Sequence, residues 1–154
     1  MRPKSSPRVF LDSNVIFSGM YSTEGAPGII LEHFIEGSLR VVVSQQVLEE
    51  VVRTIKVKLP EALPALGKLL VSTPPEIAKD PSCNEVAKWA EFMHTEDAAI
   101  LAAAIAAQPD YLITGDKHFL ENPVIMEKSG LRIVTPAQFL VGAIPCDRPF
   151  VGAQ

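Results

Sequence analysis

Short apolar runs and helical periodicities alternate along this chain. Residues 9–12 pass from Val9-Phe10-Leu11 to Asp12, the profile of a short strand leaving a packed core. Asp12-Ser13-Asn14 has the composition of an exit turn, yet Val15-Ile16-Phe17 resumes the apolar character at once. A carboxylate bracketed by core on both sides is costly unless something pairs it. Downstream, Ile29, Ile30, Phe34 and Ile35 recur at helical spacing and predict a helix over 26–35, with Pro27 in its first turn and Gly37 as its stop. Leu39-Arg40-Val41-Val42-Val43 predicts a strand covered on both faces. Ser44 then fits an N-cap, and Val47, Leu48, Val51, Val52 and Ile55 mark a helix running toward Leu59.

Prolines 60, 64, 74, 75 and 81 punctuate the middle of the chain, where a short helix around 66–70 and then an irregular connection are expected. Helices follow over 84–93 and over the alanine-rich stretch 96–107, which Pro109 ends. Residues 110–114 read as another buried strand with Gly115-Asp116 as its exit, 131–134 as a fourth strand after a short helix, and 137–141 as a last helix capped by Thr135-Pro136. Strands separated by helices require crossover connections, so the expected architecture is α/β: a three-layer α/β/α sandwich around a parallel sheet of four to five strands.

Composition narrows this picture without redirecting it. With 154 residues, 47% hydrophobic and 21% charged, the chain suits one globular domain, taken as 1–143, followed by a tail at 144–154. No run approaches the apolar length of a membrane helix, and MRPKSSPR lacks the apolar segment of a signal peptide, so a cytoplasmic location is the expectation. Cys83 and Cys146 have no metal-like spacing to each other or to His33, His94 and His118. A net charge of −4 argues against holding nucleic acid by bulk electrostatics. Yet setting four of the 18 acidic residues around a metal leaves 14 against 14 basic ones, so a nucleic-acid partner stays open.

Ligands of parallel α/β sheets bind beyond the carboxyl ends of the strands. Asp12 and Asp116 stand at such ends, Glu50 lies on the helix after the second strand, and Asp97 lies in the first turn of the alanine-rich helix. Singly, Asp12 and Asp116 read as turn residues, Asp97 as a helix-dipole partner and Glu50 as an exposed helix position. Jointly they converge on one edge of the sheet, where four carboxylates repel one another unless a cation compensates. Oxygen donors select Mg²⁺ or Mn²⁺, and such a site suits phosphodiester hydrolysis without a nucleophilic side chain. A haloacid-dehalogenase-type phosphatase needs a second Asp two residues after the first, and that place is Asn14.

VFLDSNVIFSG, VVSQQVLEEVVR, EDAAILAAAIAAQPDYLITGDKHFL and IVTPAQFL together resemble the successive motifs of the PIN domain family, over roughly residues 8–141. The resemblance implies metal-dependent endoribonuclease activity on RNA, as in VapC-type toxins paired with a small antitoxin. It implies Asp12, Glu50, Asp97 and Asp116 as metal-site acids, and Asn14 and Thr114 as residues that position water or phosphate. Glu50 matches better than Glu49, because it follows Ser44 by six residues and directly precedes Val51. Asp110, at a strand start, is read as structural. His94 and His118 are read as solvated rather than as general acids. Arg53, Lys56, Lys58 and Lys117 are near enough in sequence to meet phosphates, though a solvated helix face explains the first three equally well. A homodimer is expected, with the proline-rich segment as contact surface and with Trp89 and Phe92 read as core or dimer contacts rather than as base-stacking platforms. The alternative function is a nucleic-acid-binding module of the same fold with a silent nuclease site.

Overall fold

The computed structural model describes residues 6–143. Its elements are β1 (Arg8–Leu11), α1 (Ser13–Tyr21), α2 (Ala26–Glu36), β2 (Arg40–Val43), α3 (Gln45–Lys58), a 3-10 turn at Pro60–Ala62 and α4 (Leu63–Ser72). They continue with β3 (Glu76–Ile77), α5 (Cys83–Ala90), α6 (Thr95–Ala107), β4 (Tyr111–Ile113), α7 (Lys117–Leu120), α8 (Pro123–Ser129), β5 (Ile133–Val134) and α9 (Pro136–Ala143). The expected tail at 144–154, with Cys146, lies outside the described residues.

The strands form one parallel sheet in the order β3-β2-β1-β4-β5. From β1 the chain steps outward through β2 and β3, then returns across to β4 and β5. Right-handed crossovers therefore put α1 to α4 on one face and α5 to α8 on the other, which makes the expected three layers. Packing agrees: α1 lies against α2 and α3, α5 lies against α6, and α9 returns to α2 and β4. The reversal of strand order between β1 and β4 is the topological switch point, where the carboxyl ends of the strands open a crevice.

Val9, Phe10, Leu11, Leu112 and Ile113 are completely buried in the two central strands. Across β4 and α6 the core is lined by Leu101 and by Ala98, Ala102, Ala103 and Ala104, whose small side chains let the helix approach closely. Ser44 caps α3 as expected, accepting the Val47 N–H at 3.2 Å, and Gly37 closes α2 in the left-handed conformation at φ 87°.

Three local expectations change. Asp12-Ser13-Asn14 does not open a turn but starts helix α1, with the Asp12 side chain accepting the Ser13 N–H as N-cap. Aspartate at a strand end favours a turn and a helix start for the same reason, its short acceptor. The burial of Val15, Ile16 and Gly19, one helical turn apart, decides for the helix. A fifth strand, β3, lies where an irregular connection was expected; both its residues are exposed, so no apolar signal announces it. The single short helix expected before the last strand is two, α7 and α8, because α7 ends at its C-cap Glu121 and Asn122 caps the next helix by accepting the Ile125 N–H.

The connection between α1 and α2 crosses the first turn of α2 so tightly that a Cβ at Gly28 would lie 2.6 Å from Ser22 O and from Thr23 backbone carbon. Gly28→Ala is expected to cost about 2 kcal/mol by overpacking. Gly67→Ala, in the exposed middle of α4 where a Cβ meets nothing within 4 Å, is expected to gain about 0.5–1 kcal/mol from backbone entropy alone. Thermal denaturation of the two variants checks the pair, and shifts of the same sign would contradict this packing.

Candidate metal centre

At the switch point the sequence places an acid directly after β1. The Asp12 N–H continues the sheet ladder by donating to Ile113 O at 3.1 Å, so the residue belongs at once to the end of the strand and to the start of α1. Its carboxylate, only 3% exposed, accepts from Ser13 N–H at 2.8 Å on Oδ1, and on Oδ2 from Thr114 Oγ1 at 2.8 Å and Asn14 Nδ2 at 3.0 Å. Even so, Asp12 is pushed up to about 6, first by burial, against which its hydrogen bonds from Thr114 and Ser13 work, and with added repulsion from Glu50 and Asp116.

Thr114 is fully buried directly after β4. Besides donating to Asp12, its hydroxyl accepts the Asp116 N–H at 3.0 Å. Asn14 Oδ1 accepts the Gly115 N–H at 2.9 Å. Both polar residues are therefore engaged in holding Asp12 and the β4 exit loop to each other.

Glu50 faces this cluster from α3: its Oε1 accepts from Ser13 Oγ at 2.9 Å and its Oε2 from Gln46 Nε2 at 3.3 Å. Glu49, its neighbour, is exposed. Gln46 also donates to Glu96 O at 3.0 Å, tying α3 to the first turn of α6, where Asp97 sits. Asp97 lies above the ordinary carboxylate range because of burial and then the like charge of Asp116, with His118 offsetting part of the rise.

Asp116 caps α7 by accepting the His118 N–H at 2.9 Å. His118 Nδ1 lies 3.2 Å from Asp97 Oδ2 and 3.5 Å from Asp116 Oδ1, and the His94 ring meets His118 edge to face at 5.7 Å between centroids. Asp97, Asp116 and His118 each offer a ligand atom, all within 4.8 Å of one another, a donor set that fits a divalent cation. Asp12 and Glu50 stand outside that tight trio. A cleft of about 580 Å³ adjoins it, lined among others by Phe92, His94, Asp97, Lys117, His118 and Glu121.

The four predicted acids thus share one end of the sheet, but as two linked groups rather than one ring. The sequence alone did not single out Ser13 or Gln46, and His118, read there as solvated, stands instead against Asp97 and Asp116. The i, i+4 spacing of Gln46 and Glu50 was a usable signal; Ser13 gave none, since Glu50 lies 37 positions away, and nothing local ties His118 to Asp97. Asp110 is structural as expected, accepting the Arg8 N–H at 2.8 Å at the opposite end of the sheet. Trp89 is 5% exposed and belongs to the core, which removes it from any contact surface. Phe92 remains exposed beneath Lys128, whose Nζ lies 5.7 Å from the ring centre. Cys83 is an exposed free thiol.

Because Asp12 titrates higher in the folded protein than in an unfolded chain, folding at neutral pH carries a penalty. That penalty fades as the pH falls through about 6 toward the ordinary value of 3.8. In EDTA, wild type is expected to gain about 1 kcal/mol relative to Asp12→Asn between pH 7 and pH 5. Urea denaturation at the two pH values measures the difference; parallel pH responses would show that Asp12 carries no folding penalty.

No helix among the described residues is long and apolar enough to cross a membrane. No curated protein matches the sequence significantly. Among solved structures, PAE2754 from Pyrobaculum aerophilum is similar at a TM-score of 0.61 and 16% identity, over 88% of this chain and 88% of that one. A second is VapBC2 from Rickettsia felis, solved bound to a DNA fragment from their promoter. It is similar at 0.56 and 18% identity, over 83% of this chain and 98% of that one. At these identities the likeness is one of fold. The family model described as the PIN domain matches residues 8–118, a stretch that runs from the start of β1 to His118 and holds every acid of the cluster. With the match covering most of the chain, this protein belongs to the PIN domain family.

Proposed function

We propose that this protein is a metal-dependent endoribonuclease that hydrolyses RNA phosphodiesters with Mg²⁺ or Mn²⁺. The observation that carries the reading is the gathering of Asp12, Glu50, Asp97 and Asp116 at the switch point, with burial and like charge holding Asp12 and Asp97 above the ordinary carboxylate range. A bound divalent cation supplies charge neutralisation for the scissile phosphate and acidifies an attacking water. Asp97 and Asp116 would hold it together with His118, and Asp12 and Glu50 would complete its acidic surroundings. Asn14 and Thr114 act through Asp12 as positioning residues, since Thr114 is fully buried and both side chains are bonded to that carboxylate. The adjoining cleft gives the RNA strand room, and Lys117 on its wall meets the phosphate charge.

The VapBC2 likeness supports a toxin-type setting with a small antitoxin partner; that the antitoxin places a basic side chain in the acidic site and that the protein pairs with a second copy of itself are part of the same proposal. Exposed Phe92 and the α4 surface are the faces available for these partners.

Purified protein is expected to cleave mixed single-stranded RNA with Mn²⁺ or Mg²⁺ and to lose cleavage in EDTA. Asp12→Asn and Asp97→Asn are each expected to lower the rate by about a hundredfold or more, with each variant still melting cooperatively. Gel analysis of RNA fragments decides this; undiminished cleavage by either variant, or in chelator, would refute the assignment. Binding of RNA with no cleavage under any divalent ion would favour the silent nucleic-acid-binding module instead. For the dimer, light scattering at micromolar concentration is expected to give twice the monomer mass of 16.7 kDa, and a monomer mass would remove it.

A further inference from the structure

We propose that His118 is a metal ligand through Nδ1, so that with Asp97 and Asp116 it forms a mixed oxygen and nitrogen position that takes Mn²⁺ in preference to Mg²⁺. This rests on the metal-dependent reading above and refines which ion the site takes. The resemblance implied acids as the metal-site residues; the nitrogen donor comes from His118 on α7.

Asp116 is the N-cap of α7, and its hydrogen bond to the His118 N–H fixes the backbone of the histidine two residues on. That start turns the imidazole back over the cap, leaving Nδ1 between the Asp97 and Asp116 carboxylates at 3.2 and 3.5 Å. His94 stands edge to face against the same ring and limits its rotation. Spare donor capacity is distributed accordingly. Asp12 accepts three hydrogen bonds and Glu50 two. Among the described residues, the one hydrogen-bonding or ion-pairing partner of Asp97 is His118, and Asp116 accepts one hydrogen bond, from the His118 N–H. The free lone pairs of the cluster are therefore those facing His118.

The chemistry of the trio decides the ion. Mg²⁺ is a hard cation that keeps oxygen ligands and water in a strict octahedron, and it gains little from an imidazole. Transition ions accept imidazole readily, and Mn²⁺ also tolerates the two carboxylates. Removing the nitrogen should thus weaken Mn²⁺ binding selectively, whereas removing a carboxylate should weaken both ions.

The test is isothermal titration of the full chain with MnCl₂ and with MgCl₂, for wild type, His118→Gln and the shorter His118→Asn. It is accompanied by electron spin-echo spectra of the Mn²⁺-loaded proteins. Both variants are expected to fold, because the His118 side chain is 61% exposed, and unchanged melting in EDTA confirms it. Loss of the ligand is expected to lower Mn²⁺ affinity about tenfold or more, with Mg²⁺ affinity changing less than about threefold. The wild-type spectrum should carry the coupling of a directly bound ¹⁴N, and the variants should lack it. Equal losses for both ions, a wild-type spectrum without nitrogen coupling, or no Mn²⁺ binding would each overturn the proposal. RNA cleavage is scored separately. Wild type that shows nitrogen coupling but cuts no RNA upholds His118 as ligand and refutes the nuclease reading. A Mn²⁺-dependent nuclease without nitrogen coupling does the reverse.

Discussion

Two hydrogen bonds onto one oxygen hold the working end of this molecule together. Thr114 and Asn14 both donate to Asp12 Oδ2, joining the residue after β1, the first turn of α1 and the residue after β4. Those three pieces are neighbours only because β1 and β4 pair in parallel, with Leu11 opposite Ile113. The sheet register thus sets the distance, and the buried carboxylate turns that distance into a rigid corner. Glu50 joins the corner through the Ser13 hydroxyl, and Asp116 joins it through the N–H it gives to Thr114.

A buried acid among other acids opposes folding, which is why burial pushes Asp12 up. Hydrogen bonds to the carboxylate lower its cost without removing it, since burial outweighs them and the charges of Glu50 and Asp116 add to it. What tolerates the site is the apolar mass behind it: β1 and β4 are buried along almost their whole lengths, and the alanine-rich α6 packs against them. Stability is concentrated in the centre of the sheet, and unbalanced charge at its carboxyl end.

The opposite end of the same sheet shows what acids look like when they serve structure alone. There Arg8 pairs with Glu76 at 3.1 Å, its side chain also donates to Ala107 O, and its N–H donates to Asp110. Glu76 thus meets the Arg8 cation, and Asp110 accepts the N–H of the same residue. At the carboxyl end, no lysine or arginine salt bridge reaches Asp12, Glu50, Asp97 or Asp116 among the described residues; only His118 stands beside two of them. That difference in charge partnering, more than the number of acids, separates a site from a brace.

Apolar periodicity determined the central strands, the helices α2 and α3, the parallel α/β class and the residues at the strand ends, and an alanine-rich run ended by Pro109 determined α6. Each of these is dictated by a local pattern that burial on one or two faces imposes on consecutive residues. Motif order was enough to place Asp12, Glu50, Asp97 and Asp116 at one edge. Where the local signal was shared or silent, only the tertiary structure decided. Asp12 begins a helix instead of a turn because Val15 and Ile16 find a core to enter. Glu76-Ile77 becomes a strand because the β2 edge offers it hydrogen bonds, which no side chain of its own announces. Trp89 turns inward, Thr114 is spent on Asp12, and His118 comes between two carboxylates. Such contacts join residues up to 102 positions apart, and distance in space across a folded chain leaves no period in its sequence.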